Sequence, residues 1–407
     1  MNHPLRRLLF QASVAVGCIG IVSGCQAPPV RWSIQPRLEQ VWKLDFPAPE
    51  GVVTSMTYPT GQSGEVFLIQ TPPGGAPRYL KMRTYDGKVL WEKQFEPTGE
   101  VPYYNMGVVL HDDYVAIPAS DRLRILRWDS GAPYRDFQPV GGAMPFLEHG
   151  DDGAIWQASN AWNKRASAIW RYDVENSDMR EVFSMPWPDS MQLLLATPTL
   201  LANGHLFFTV IERNTVNQYT TSKWFVFDPA QKQILRKGAA YPPNQWGYGP
   251  GKPALLYRDK VIFIAFNRLV CIDPVVGYAL WEREFPRDML SSYPMIYANR
   301  LFLAMEDQQL YCIDPSNGQV IWHSTLSGTP GRMVAGGNQL FVVGGGDGLL
   351  YTFDISDGRI LRKMAAPNHH YLPNAFFQRP LALDTLSGRL MLFDGQHLRG
   401  YDVWEKE

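Results

Sequence analysis

Cysteine is scarce in this chain and net charge is almost absent. Four cysteines occur in 407 residues, and 38 Lys plus Arg stand against 39 Asp plus Glu, a formal net charge of −1. A chain so near neutrality lacks the basic surface that holds nucleic acid through counterion release, which excludes polyanions as its main partners. With 45% hydrophobic and 13% aromatic residues, disordered and collagen-like classes are excluded as well. Helical periodicity is missing beyond the first 25 residues. No G-x-S-x-G, HExxH or phosphate-cradling Gly loop occurs, and Gly344-Gly345-Gly346 leads into a strand-end turn rather than a helix. Turn residues, by contrast, are plentiful at 35 Gly and 32 Pro, and that calls for a search for repeats before any division into domains.

The N-terminus reads as an address. Arg6 and Arg7 precede an apolar, acid-free run from Leu8 to Val22, closed by Ser23, Gly24 and Cys25. The run contains Gln11 and Ser13 and falls short of the ~20 apolar residues that a membrane span needs, so residues 1–24 read as a secretory signal peptide. Val22-Ser23-Gly24-Cys25 resembles the lipobox of bacterial lipoproteins, which implies that Cys25 is acylated and heads the mature chain. By the same resemblance, Gln26 rather than Asp at the next position points to the periplasmic face of the outer membrane. Residues 25–37 are then a lipidated linker and 38–407 a single folded body. That body retains only Cys271 and Cys312, so no disulfide framework is expected.

The body is one unit written eight times. Residues 268–285 (RLVCIDPVVGYALWEREF), 309–326 (QLYCIDPSNGQVIWHSTL) and 349–366 (LLYTFDISDGRILRKMAA) each read as an apolar strand, an Asp, a turn ending in Gly, and a second strand. Looser copies run through 79–95, 122–138, 168–184 and 223–239, and the last is LRGYDVWEKE. The markers are Asp86, Asp129, Asp173, Asp228, Asp273, Asp314, Asp354 and Asp402, spaced 40 to 55 residues apart. Each Asp is expected to cap its turn, and Gly277, Gly318 and Gly358 to supply φ > 0. Trp91, Trp281 and Trp322 are expected as outer-strand side chains wedged between units. Two earlier strands precede each hairpin, as in 253–266 and 294–306. Four short antiparallel strands per unit predict an all-β, eight-bladed β-propeller. The last unit stops after its third strand while QVWKLDF (40–46) stands as an orphan fourth strand, so the N-terminal segment is predicted to complete the final blade.

These hairpins resemble the repeat of the pyrroloquinoline-quinone (PQQ) type propellers, L-Y-A-L-D-x-x-T-G-x-x-x-W, closely at 268–282 and 309–322 and moderately at 349–362. WD40 and kelch signatures are not matched. An eight-bladed PQQ-type propeller on a lipoprotein resembles the BamB family, lipoprotein subunits of the outer-membrane β-barrel assembly machine. That resemblance implies a non-catalytic, monomeric scaffold whose partners are barrel-assembly proteins, with no cofactor. PQQ-dependent dehydrogenases share the propeller and are the alternative, as a dehydrogenase-like or ligand-binding propeller; the adjacent-cysteine clamp of those enzymes is absent. A cell-envelope scaffold unrelated to barrel assembly is a third reading.

Candidate contact residues follow from departures from the period. The longest spacing arises from 211–223 (IERNTVNQYTTSK), a polar extension between the second and third strands of the fourth unit. Nearby, Tyr241, Trp246 and Tyr248 lie in a Pro- and Gly-rich segment, read either as a contact site or as an interblade connection. In the BamB family a Leu- and Arg-containing loop contacts the barrel subunit. The corresponding place here carries Leu193, Leu194 and Leu195 without the Arg, and these leucines equally suit a buried inner strand. Cys271 and Cys312 are expected as buried, separate thiols, and His369-His370 as a solvated loop lacking a third metal ligand.

Overall fold

The second and third strands of most repeats carry consecutive apolar residues on both faces, as in KVIFIA (Lys260–Ala265) and RLMLF (Arg389–Phe393). A strand can sustain that only if both of its faces are buried. The computed structural model describes residues 38–403 apart from 46–51, 58–63, 72–75, 96–106, 120–121, 140–141, 144–145, 162–163, 239–240, 242–252, 288, 290–292, 329–330, 368–376, 378–380 and 386. Residues 36–407 form one compact unit.

The described strands make eight antiparallel sheets in chain order. Blade 1 comprises Val52–Thr57, Glu65–Thr71, Arg78–Arg83 and Val89–Gln94, and blade 2 comprises Val109–Leu110, Tyr114–Pro118, Leu123–Arg127 and Pro133–Phe137. Blade 3 runs from Gly142–Ala143 and Glu148–His149 through Ile155–Ala161 and Ala166–Asp173 to Asp178–Pro186. Blade 4 runs from Met191–Leu195 and Thr199–Leu200 through Leu206–Asn214 and Thr220–Asp228 to Gln233–Lys237. Blades 5, 6 and 7 begin at Leu255, Met295 and Met333 and end at Glu284, Thr325 and Met364. Blade 8 contains Leu381–Asp384, Arg389–Phe393 and His397–Asp402, and its fourth strand is Glu39–Asp45 from the other end of the chain. The eight-bladed propeller and its closure by the N-terminal strand are thus as the repeat predicted.

The core is distributed rather than central. Eight apolar clusters occur, each between two consecutive blades. Alternation along one strand explains this. In blade 1, Val66 and Leu68 face blade 8 while Phe67 and Ile69 face blade 2. In blade 4, Leu206 and Phe208 face blade 3 while Phe207 faces blade 5. The cluster that joins Met391, Phe393 and Leu398 to Val66, Leu68 and Leu80 shuts the ring. Because strands within a blade are antiparallel, turns from the first to the second strand and from the third to the fourth share one face. Hairpins from the second to the third strand, and the connections between blades, share the other.

Candidate functional site

The turn between the third and fourth strands is the recurring device. Gly87, Gly131, Gly277, Gly318 and Gly358 occupy it with φ between 66° and 89°. Each donates its N–H to the carbonyl of the residue that ends the third strand: Arg83 (3.1 Å), Arg127 (2.9 Å), Asp273 (2.8 Å), Asp314 (2.8 Å) and Asp354 (2.9 Å). In blades 3 and 4, Ser177 (φ 55°) and Lys232 (φ 54°) take the left-handed position instead.

Asp173, Asp228, Asp273, Asp314 and Asp354 accept backbone N–H bonds from residues two or three further on. Side-chain hydrogen bonds from Asn176, Ser316 and Ser356, followed by those backbone N–H groups, hold the carboxyls of Asp173, Asp314 and Asp354 below the usual range. Three markers are out of register with this pattern. Arg83 and Arg127 occupy the strand-ending position in blades 1 and 2, so Asp86 and Asp129 lie inside the turn. There Asp86 pairs with Arg83 and accepts from the Lys88 N–H (3.0 Å), and Asp129 accepts from the Ser130 hydroxyl. Asp402 has no turn to cap, because the chain exits after it, and pairs with Arg389 at 3.0 Å.

Above each of the five glycine-bearing turns sits a planar side chain from the fourth strand of the preceding blade. Trp42, Trp91, Trp281 and Trp322 lie over Gly87, Gly131, Gly318 and Gly358. Their indole N–H groups donate to the carbonyls of Thr84 (2.6 Å), Trp128 (2.9 Å), Pro315 (3.0 Å) and Ile355 (3.0 Å). Between blades 4 and 5, Arg236 lies over Gly277 and donates Nε–H to Val275 O at 3.2 Å. Only glycine permits the approach, since a Cβ at Gly87, Gly131 or Gly318 would stand 2.6 Å from the indole.

The junction of blades 3 and 4 departs from this. Arg180 and Glu181 stand at the indole position, as the pairing of Arg180 with Arg171 shows, and Lys232 stands where the glycine would be. A cleft of about 690 Å³ remains there. Its floor includes Trp156, Val182, Leu200 and Leu201, and its rim carries Asp151, Asp152, Arg171, Arg180, Glu181 and Lys232.

The extended segment of blade 4 is a long hairpin on the opposite face. Leu206–Asn214 and Thr220–Asp228 are nine residues each. Its tip is rigidly wired: Asn214 Oδ1 accepts from Val216 N (2.8 Å) and Asn217 N (3.2 Å), Asn217 Oδ1 accepts from Tyr219 N (2.9 Å), and Thr215 N donates to Ser190 O (2.8 Å). Val216 is 80% and Tyr219 53% exposed. Leu193, Leu194 and Leu195 form the inner strand that pairs with this hairpin over Val210–Glu212. Leu193 and Leu195 are buried and Leu194 partly so, packed against Phe208 and Phe225. They support the hairpin from behind.

Tyr241 belongs to an interblade contact. It is buried, bridges Ser222 through the backbone, and donates its hydroxyl to Glu282 of blade 5 at 2.9 Å. Trp246, Tyr248, Cys25, His369 and His370 lie outside the described residues. Cys271 and Cys312 are free and buried in successive interblade clusters, where burial pushes each thiol up to about 11. Among the described residues no group of three or more His, Cys, Asp or Glu is placed to hold a metal ion.

Glu148, on the inner strand of blade 3, carries a titration that sequence patterning does not reveal. Burial pushes its carboxyl up to about 7, against a hydrogen bond from the Leu200 N–H that lowers it. A raised carboxyl pKa means that the folded state binds the proton more tightly than the unfolded chain. The stability it contributes is therefore present below the unfolded value and is lost as pH rises through about 7. Glu148→Gln is expected to raise stability at pH 8 by about 1–2 kcal/mol and to change it little at pH 4. Urea midpoints at the two pH values check this, and an equal effect at both would contradict it.

Residues 227–364 match the family model described as "PQQ_2: Outer membrane protein assembly factor BamB". Among curated proteins, a kelch-domain-containing protein of Pyrococcus furiosus is 24% identical over 188 residues, 44% of this chain and 55% of that protein, so the match spans about half the length of that relative. Among solved structures, BamB from Moraxella catarrhalis aligns with a TM-score of 0.57 at 13% identity, over 91% of this chain and 99% of that one. The WD40 domain of Sif2 aligns with a TM-score of 0.61 at 11% identity, over 90% and 99%. Such likenesses establish the propeller fold without separating its repeat families. The family-model match is confined to residues 227–364; over that stretch the chain is similar to the PQQ-type repeats described for BamB, within an eight-bladed propeller.

Proposed function

We propose that this protein is a non-catalytic, lipid-anchored scaffold of outer-membrane protein assembly, tethered through Cys25 at the periplasmic face and docking a barrel-assembly subunit. The observation that carries the docking mode is the blade 4 hairpin, whose tip holds Val216 and Tyr219 in solvent on a turn preorganised by Asn214 and Asn217. Preorganisation lowers the ordering cost of binding, and an exposed Tyr beside an aliphatic residue is a hot-spot pairing. The family-model match and the BamB likeness support the assembly role.

Affinity capture of the detergent-solubilised lipoprotein tests the reading. Barrel-assembly subunits are expected to co-purify. Val216→Glu with Tyr219→Glu is expected to reduce their recovery by about tenfold or more while leaving the thermal midpoint unchanged, because both side chains are exposed. Capture from the unaltered protein without any barrel-assembly subunit would overturn the proposal.

A further inference from the structure

The blade 3/4 junction is an interblade slot with its usual occupant missing. At five other junctions the space over the turn is filled by this chain's own indole or guanidinium, laid on a glycine. Here two changes combine: the fourth strand of blade 3 supplies Arg180 and Glu181, and the turn of blade 4 supplies Lys232 in the left-handed position. The side chain of Lys232 denies a planar group the flat seat that glycine provides. Leaving the slot unfilled opens the cleft, whose depth is lined by Trp156, Val182, Leu200 and Leu201.

Two further features point to a ligand. The indole N–H of Trp156 is buried without an acceptor, in a residue 4% exposed. Trp156 is one of the residues that line the cleft. The rim is charge-balanced: Arg171 takes up Asp152 at 2.7 Å, while Arg180, Lys232, Asp151 and Glu181 make no ion pair among the described residues. A small ion of either sign would be attracted by half of that rim and repelled by the other half. An uncharged aromatic side chain on a peptide escapes that penalty and buries apolar area on the floor.

We propose that the blade 3/4 cleft is a protein-binding slot that receives an aromatic side chain from an extended segment of a partner. The partner's ring packs on the apolar floor of Trp156, Val182, Leu200 and Leu201 beside Lys232, deeper than the seat over the turn that the chain's own Trp takes at four other junctions. The slot lies on the face opposite the blade 4 hairpin tip, so both are accessible at once and their tests are separable.

The probe is a blocked tripeptide, acetyl-Gly-(5-fluoro-Trp)-Gly-amide, titrated into the propeller and followed by fluorine NMR. Saturable binding with a Kd on the order of 1 mM is expected for a single anchor. Arg180→Trp with Lys232→Gly, which fills the slot from within, is expected to weaken binding about tenfold or more and to raise the thermal midpoint. Ala202→Phe, on the cleft wall, blocks the slot by a separate route and decides the matter if the double variant does not fold. Val216→Glu with Tyr219→Glu is expected to bind the probe as the unaltered protein does. Absence of saturation up to about 10 mM, or equal binding by the folded slot variants, would overturn the proposal.

Discussion

Deleting residues 38–47 is expected to open the ring and to leave a far less stable protein that associates through its exposed edge. The fourth strand of blade 8 pairs from Glu39 with Asp402 to Asp45 with His397, and among the described strands it alone covers that edge of His397–Asp402. Trp42 is the wedge. Its ring lies between Gly400 and Gly87, and its N–H reaches Thr84 O at 2.6 Å, so one side chain joins blade 8 to blade 1. Polar groups lock the strand beside it: Arg399 donates to Gln40 Oε1 (2.6 Å) and to Asp394 Oδ2 (2.6 Å), and His397 bridges Asp394 and Asp45. Burial acts to raise the Asp394 carboxyl, but Arg399 and the N–H groups of Gln396 and His397 outweigh it and leave it lowered. Its contribution is therefore present above the unfolded carboxylate range and lost as pH falls below it.

Trp42→Ala alone removes a buried aromatic and strands the Thr84 carbonyl, a loss of about 3–5 kcal/mol. The deletion should cost more and expose the edge of His397–Asp402 to pairing between molecules. Urea denaturation and size-exclusion chromatography measure the two effects. A truncated protein that stays monomeric with an unchanged midpoint would show that ring closure does not depend on this strand.

Gly318→Ala is the second large effect, and Gly204→Ala is its control. Both glycines have positive φ, 73° and 79°, so both substitutions incur the left-handed backbone penalty of about 1–2 kcal/mol. They differ in what a methyl group meets. At Gly204 nothing lies within 4 Å, whereas at Gly318 the new carbon stands 2.6 Å from the Trp281 ring. Displacing that indole adds about 1–3 kcal/mol of overpacking and breaks its hydrogen bond to Pro315 O. Gly318→Ala is therefore expected to destabilise by about 3 kcal/mol or more and Gly204→Ala by about 1. Equal losses in the two variants would show that backbone strain, not interblade stacking, makes the repeat glycine necessary.

The repeat itself was legible because its defining features are local. An Asp, a left-handed Gly four residues on and a Trp four beyond that lie within one hairpin, as at Asp314, Gly318 and Trp322, where the Asp and the Gly act on that turn itself and the Trp reaches the next blade. The marker misleads only where another residue ends the strand, as Arg83 and Arg127 do, because the backbone bond from the turn glycine does not depend on that side chain. Leu193, Leu194 and Leu195 could be read as a contact or as a buried strand from composition alone; the structure pairs them with Val210–Glu212 and buries Leu193 and Leu195, with Leu194 partly buried.

By itself, then, the sequence determined an all-β chain of eight hairpin-bearing units, near neutral, with an orphan strand at its start waiting for a partner at its end. Tertiary structure alone decided which Trp meets which Gly, that Tyr241 spans two blades through Glu282, and that the blade 3/4 slot stands open. The physical reason is that every such contact is made between neighbouring blades. The two residues that leave the slot unfilled, Arg180 and Lys232, are each unremarkable in their own strand or turn, and only the docking of one blade on the next brings them to the same space.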